Sequence, residues 1–209
     1  PDLTSASSKG SSMAFKRSDP TRETGGAMPI PVKIVVAGGY AVGKTTFVGS
    51  ISEIEPLTTE ASLTSHSAGV DIAGAASKTT TTVAMDFGRI GLGDDLILYL
   101  FGTPGQDRFH FMWDDLVRGA IGAVVLVDTS RLEDCFAAVD YFESAGLPFV
   151  VAVNAFFGRI HHSLEDVREA LAIPAGVPMM VTDARDRAST KATLLELAQH
   201  ALANANAPS

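Results

Sequence analysis

The chain has 209 residues, 46% of them apolar, with a formal net charge of −8 and one cysteine. That is length and apolar content for one domain with a full core. The acidic balance argues against a nucleic-acid partner, and a single thiol excludes a disulfide framework or a cysteine-based zinc spacing, fitting a reducing, cytoplasmic setting.

Residues 1–28 are rich in Ser, Thr, Gly and Lys and read as a disordered tail. Met13 reads as the natural start, which makes 1–12 a leader foreign to the protein. The segment "PVKIVVAG" reads as a buried strand. It is followed by a glycine-rich loop and a helix from about Lys44 to Ser52. Residues 53–79 show little periodicity and read as a long irregular segment, with room for a short helix; such segments are often functional.

"TTTTVAMDFGRI" and "DLILYLFG" read as two strands joined by the turn "GLGDD", which predicts an antiparallel hairpin at one edge of a sheet. "TPGQDRFHFMWDDLVRG" is a loop entering a helix, and "AIGAVVLVD" is a strand. "RLEDCFAAVDYFESAG" is a helix stopped by Gly146 and Pro148, with Cys135 packed on its apolar side. Then come the strand "LPFVVAVN", a helix capped by Ser163 and Asp166, the strand "VPMMVTDA" and a last helix. Continuous apolar strands alternating with helices predict a parallel sheet covered on both faces. No apolar run approaches the ~20 residues of a membrane span, so no direct membrane insertion is expected.

Gly38, four residues on Gly43, then Lys44 and Thr45 form the pattern G-x-x-x-x-G-K-[ST], between a strand and a helix. Glycines let backbone N–H groups turn toward phosphate oxygens, and the helix N-terminus adds its positive dipole end. Lys44 would reach the terminal phosphates, Thr45 would offer its hydroxyl to Mg²⁺, and Thr46 completes the loop's exit. Tyr40 is unusual in such a loop. It either crowds the γ-phosphate side or packs away from it.

The later motifs come in the order of Ras-like small GTPases. "FGTPGQDRF" resembles their D-x-x-G-Q switch, with Gly105 and Gln106 at matching positions. "TTVAMDF" resembles the end of switch I and places Thr82 at the Mg²⁺-sensing threonine. "VAVN" resembles the start of N-K-x-D at Asn154, and "VTDAR" the late base-contacting loop at Asp183 and Ala184. The resemblance covers about residues 30–205. It implies a P-loop NTPase small G-domain over residues 29–206. Its expected sheet is mainly parallel and six-stranded, with one antiparallel edge strand and helices on both faces. It also implies GTP/GDP and Mg²⁺ as ligands, slow GTP hydrolysis with Gln106 orienting water, and output through partner binding.

"GGYAVGKTT", "KTTTTVAMDFG" and "LFGTPGQDRFHFMWDDL" are similar to actinobacterial conservon GTPases, relatives of the gliding-motility polarity GTPases. That resemblance implies a roadblock/LC7-type regulatory partner and a sensor-kinase-like complex, with any membrane recruitment through a partner.

Two departures from the pattern matter. Gly102 stands where the D-x-x-G aspartate holds Mg²⁺ through water, which predicts weaker Mg²⁺ retention or a substitute acid. Phe157 stands where an aspartate accepts hydrogen bonds from guanine, so guanine binding is expected to be weak, poorly selective or absent. A degenerate, nucleotide-free interaction module is therefore an alternative reading. An ATP-using enzyme with Asp128 on the metal is another, although Asp128 reads more simply as structural. Arg108 is either an internal arginine finger or a solvent-facing charge. His161 and His162 read as a solvated loop pair. Phe109, Phe111, Met112 and Trp113 read as core or as a partner surface.

Overall fold

The computed structural model describes residues 28–64, 80–105 and 111–206, with backbone only for 58–64 and 80–84. Tail residues 1–27, and with them the expectations placed there, lie outside the described residues, as do Gln106, Arg108 and Phe109.

Among these residues seven strands form one sheet: β1 (Ile30–Gly38), β2 (Leu57–Thr64), β3 (Thr80–Leu92), β4 (Leu96–Gly102), β5 (Ala120–Val127), β6 (Phe149–Asn154) and β7 (Met179–Thr182). Their order is β2-β3-β4-β1-β5-β6-β7. Strands β4, β1, β5, β6 and β7 run parallel, and β3 alone opposes its neighbours. The expected mainly parallel sheet is present, with one strand more than the sequence suggested. The extra strand is β2, which corrects the irregular reading of its stretch. β2 takes the edge, so the antiparallel strand β3 lies one place inside it. The alternation in "LTTEASLT" is weak, with only Leu57, Ala61 and Leu63 apolar at every second position, so a short edge strand of this composition is easily read as irregular. β3 pairs with β4 only from Asp86 onward, so the β2–β3 ribbon continues past the C-terminal end of β4.

Among the described residues five α-helices cover the sheet: α1 (Lys44–Ile51), α2 (Trp113–Val117), α3 (Phe136–Ala145), α4 (Leu164–Ala170) and α5 (Arg187–Ala205). The period of two along β1 divides the core. Ile34 and Val36 join Phe47 and Val48 of α1 and Leu194 and Leu197 of α5. Val35 and Ala37 face the other way, onto Trp113, Val139, Phe142 and Val167 from α2, α3 and α4. Cys135 is fully buried in this second layer, as its helical pattern predicts. Trp113 is buried and stacks on Phe142, whereas Phe111 is 64% exposed. The aromatic cluster of the sequence is thus part core and part surface.

The helix ends follow the sequence signals. Ser163 and Asp166 form the reciprocal capping box at α4, a device worth about 1 kcal/mol. Gly146 closes α3 in the left-handed conformation. All five parallel strands end on one edge of the sheet, where α/β folds of this kind bind ligands.

Candidate functional site

The phosphate loop spans the end of β1 and the start of α1, which begins at Lys44 with Gly43 before it. Gly43 has φ 105°, and a Cβ there would stand 2.7 Å from Asn154 Nδ2. Only glycine suits both the left-handed backbone and that approach. Asn154, at the end of β6, donates from Nδ2 to the Val42 carbonyl at 2.9 Å and accepts from the Ala184 N–H at 3.1 Å. It is buried, and it ties the phosphate loop to the loop after β7.

Lys44 is buried and curls over the loop. Its Nζ donates to Gly38 O at 3.0 Å and to Gly39 O at 2.6 Å. Burial lowers its pKa to about 8, against a smaller opposing pull from the Asp86 carboxylate. Gly105 rests on this lysine: a methyl group in place of its hydrogen would lie 2.6 Å from Lys44 Nζ and 2.9 Å from Tyr40 Cα. The segment after β4 and the phosphate loop are therefore in direct contact at the point where a terminal phosphate would arrive.

Thr45 Oγ1 donates to Asp86 Oδ2 at 2.7 Å. Asp86 lies on β3, paired with Gly102 of β4, and is buried. A Cβ on Gly102 would stand 3.0 Å from Asp86 Cβ and 3.1 Å from Oδ2. Asp86 thus places a carboxylate beside position 102, in space that the glycine leaves open. Two oxygen donors at the entrance of α1, one of them a carboxylate, suit Mg²⁺, a hard cation held by few protein oxygens plus phosphate. Thr45 and Asp86 are the residues that would hold it. Thr103, the residue after Gly102, has a buried hydroxyl with no partner among the described residues. Thr82 lies on β3, paired with Ser62 and four residues before Asp86. That separation is about 13 Å along an extended strand, so Asp86 is the β3 residue that meets Thr45.

Asp86 was missed in the sequence because the G-domain pattern seeks its acid at the start of D-x-x-G. The signal was present in "VAMDFG", a carboxylate within an apolar stretch of the strand.

The remaining candidates fall around this centre. Thr46 is exposed on the first turn of α1. Tyr40 is 62% exposed, and its carbonyl accepts from Arg131 Nη2 at 2.9 Å. Arg131 also pairs with Asp128 and Asp134, each at 3.5 Å. Asp128 accepts from Ser130 as well, and these partners hold its carboxyl below the usual range despite burial. It braces the loop from outside, consistent with the structural reading. His161 and His162 are exposed, and the described residues contain no cluster of three or more His, Cys, Asp and Glu side chains able to hold a metal.

Beyond Asn154 the chain makes a tight turn. Phe157 and Gly158 both have positive φ, 53° and 73°, and the Arg159 N–H closes onto Phe156 O at 3.1 Å. The Arg185 guanidinium lies over the Phe157 ring at 4.5 Å. Asp183 grips that guanidinium through Nε at 2.9 Å and Nη2 at 2.7 Å, and the pairing holds the Asp183 carboxyl down to about 2. Asn154, Asp183 and Ala184 are therefore brought together beside the phosphate loop. Gly38, Gly43, Lys44, Thr45 and Gly105 form its centre.

Residues 36–204 match a family described as conserved hypothetical ATP binding protein. An uncharacterized protein of Methanocaldococcus jannaschii is 30% identical over 125 residues, 59% of this chain and 69% of that protein. Among solved structures, the G-domain of FeoB from Methanococcus jannaschii superposes with a TM-score of 0.54 at 15% identity, covering 82% of this chain and 98% of that one. The architecture is that of a P-loop NTPase with a small G-domain likeness.

Proposed function

The chain belongs to this ATP-binding P-loop family, and from that premise we propose that it is a nucleoside-triphosphate-dependent molecular switch that acts by binding a partner. The observation that carries the reading is the contact of Gly105 with Lys44. A triphosphate would compete with the carbonyls of Gly38 and Gly39 for the three N–H donors of Lys44, and any shift of the ammonium would act on Gly105 and the segment after β4. Such coupling between a terminal phosphate and a neighbouring loop is what a nucleotide switch needs.

GTP is the ligand expected from the order of the motifs, with Mg²⁺ supplying charge neutralisation of the phosphates when bound. This chain's residues do the positioning. The loop N–H groups and the α1 N-terminus would hold the phosphates, and Lys44 would bring a positive charge to them. Thr45 and Asp86 would orient the cation, and Asn154 keeps the loop rigid. Gln106 follows Gly105 and would orient water for a slow hydrolysis that ends the signal. The partner expected from the conservon resemblance is a roadblock/LC7-type protein within a sensor-kinase-like complex. Phe111, exposed at the start of the α2 segment, gives that partner an apolar contact.

Calorimetric titration with GDP and a non-hydrolysable GTP analogue, with and without Mg²⁺, tests the reading. Binding in the micromolar range is expected. No heat at millimolar nucleotide would leave the interaction-module reading in its place.

A further inference from the structure

The loops that follow β6 and β7 lie against the phosphate loop through Asn154, so they flank the base of any nucleotide held there. Neither is prepared to read a guanine edge. The Ala184 N–H already donates to Asn154 Oδ1, and Phe157 has no acceptor. What the turn presents instead is an aromatic face. Phe157 is 81% exposed at φ 53°, a conformation a bulky residue rarely adopts and one that asparagine or aspartate takes more readily. An exposed phenyl group held in unfavourable backbone geometry contributes nothing to the core. Retained strain of this kind points to use. Arg185 covers one side of the ring, and its own position is fixed by two hydrogen bonds to Asp183. Most of the surface of Phe157 remains exposed.

We propose that Phe157, backed by Arg185, is a stacking platform that takes the purine base by its face, so that the site accepts adenine and guanine nucleotides alike. This rests on the nucleotide-switch reading and narrows it. Aromatic stacking is indifferent to which base is stacked, because every base has a π-face. Discrimination between guanine and adenine needs hydrogen bonds along the base edge, and a site without them cannot reject the alternative base strongly. Asp183 holds the platform's guanidinium and is a positioning residue.

The test is calorimetry on the full chain with GDP, ADP and tripolyphosphate, for the unaltered protein, Phe157→Ala and Phe157→Asp. The unaltered protein is expected to bind GDP and ADP within about tenfold of each other. Phe157→Ala should weaken both by about tenfold, the effect of losing one stacked base, and leave tripolyphosphate unchanged. Phe157→Asp suits the turn and should gain at least about a tenfold preference for GDP, by restoring an edge acceptor. A guanine preference above about a hundredfold in the unaltered protein overturns the inference. So does a Phe157→Ala variant that binds both nucleotides as before, or a Phe157→Asp variant that gains no preference. Failure of the unaltered protein to bind either nucleotide removes the switch reading itself, and this inference with it. A protein that binds both nucleotides while Phe157→Ala changes nothing removes this inference alone.

Discussion

Thr45 and Asp86 are 41 positions apart in sequence, yet the threonine hydroxyl donates to the carboxylate at 2.7 Å. The bond joins the start of α1 to β3 at the strand pair where Gly102 leaves room for the acid. If Asp86 takes the place of the missing D-x-x-G carboxylate, Asp86→Asn should reduce the Mg²⁺-dependent gain in nucleotide affinity by about 10–100-fold, the usual effect of losing a residue that orients a metal's ligands. The doubly changed protein, Asp86→Gly with Gly102→Asp, should recover part of the loss. Titrations with and without Mg²⁺ measure this. An Asp86→Asn protein with undiminished Mg²⁺ dependence would place the cation elsewhere.

Lys44 sets a pH dependence. Burial brings its pKa from the ordinary 10.5 to about 8 in the free protein. A phosphate binds the charged form, so above pH 8 binding must take up a proton. Affinity should then fall by up to about tenfold per pH unit as pH rises from 8 toward 10. For the free fold the sign is reversed: between about 8 and 10.5 the unfolded chain holds the extra proton, so this group makes stability rise with pH. Titration of tripolyphosphate at pH 7, 8, 9 and 10 tests the first statement. Affinity unchanged up to pH 10 would contradict it.

Asn154 is the tie between the phosphate loop and the loop after β7. Asn154→Ala leaves the Val42 carbonyl and the Ala184 N–H without their partner in a buried setting. Two such groups predict a loss of about 2–4 kcal/mol, read from urea denaturation. A loss under about 1 kcal/mol would mean that the loops are held together by other contacts.

Much of this arrangement was legible in the sequence. The G-x-x-x-x-G-K-T spacing located Gly38, Gly43, Lys44 and Thr45 because phosphate binding constrains the backbone tightly. The apolar runs located five parallel strands because burial on both faces leaves them little choice. Two features were not legible. β2 carries only a weak apolar alternation, and its place at the edge comes from pairing with β3. Asp86 shows in the sequence only as a carboxylate within "VAMDFG"; its role was not legible because it acts across a strand pair, and a linear pattern holds no record of which residue faces Gly102.

Gln106 follows the glycine that touches Lys44. Its proposed role predicts that Gln106→Leu slows an already slow GTP hydrolysis at least about tenfold in single turnover, with nucleotide affinity unchanged. Equal rates for the two proteins would remove Gln106 from the reaction.

On this reading a terminal phosphate is sensed where Gly105 meets Lys44. Hydrogen exchange of the Mg²⁺-loaded protein, compared between a non-hydrolysable triphosphate and the diphosphate, tests it most directly. The difference is expected to concentrate in residues 38–45, in the 102–105 segment and at the Asp86 end of β3. Identical exchange with the two nucleotides, in a protein that binds both, would contradict it.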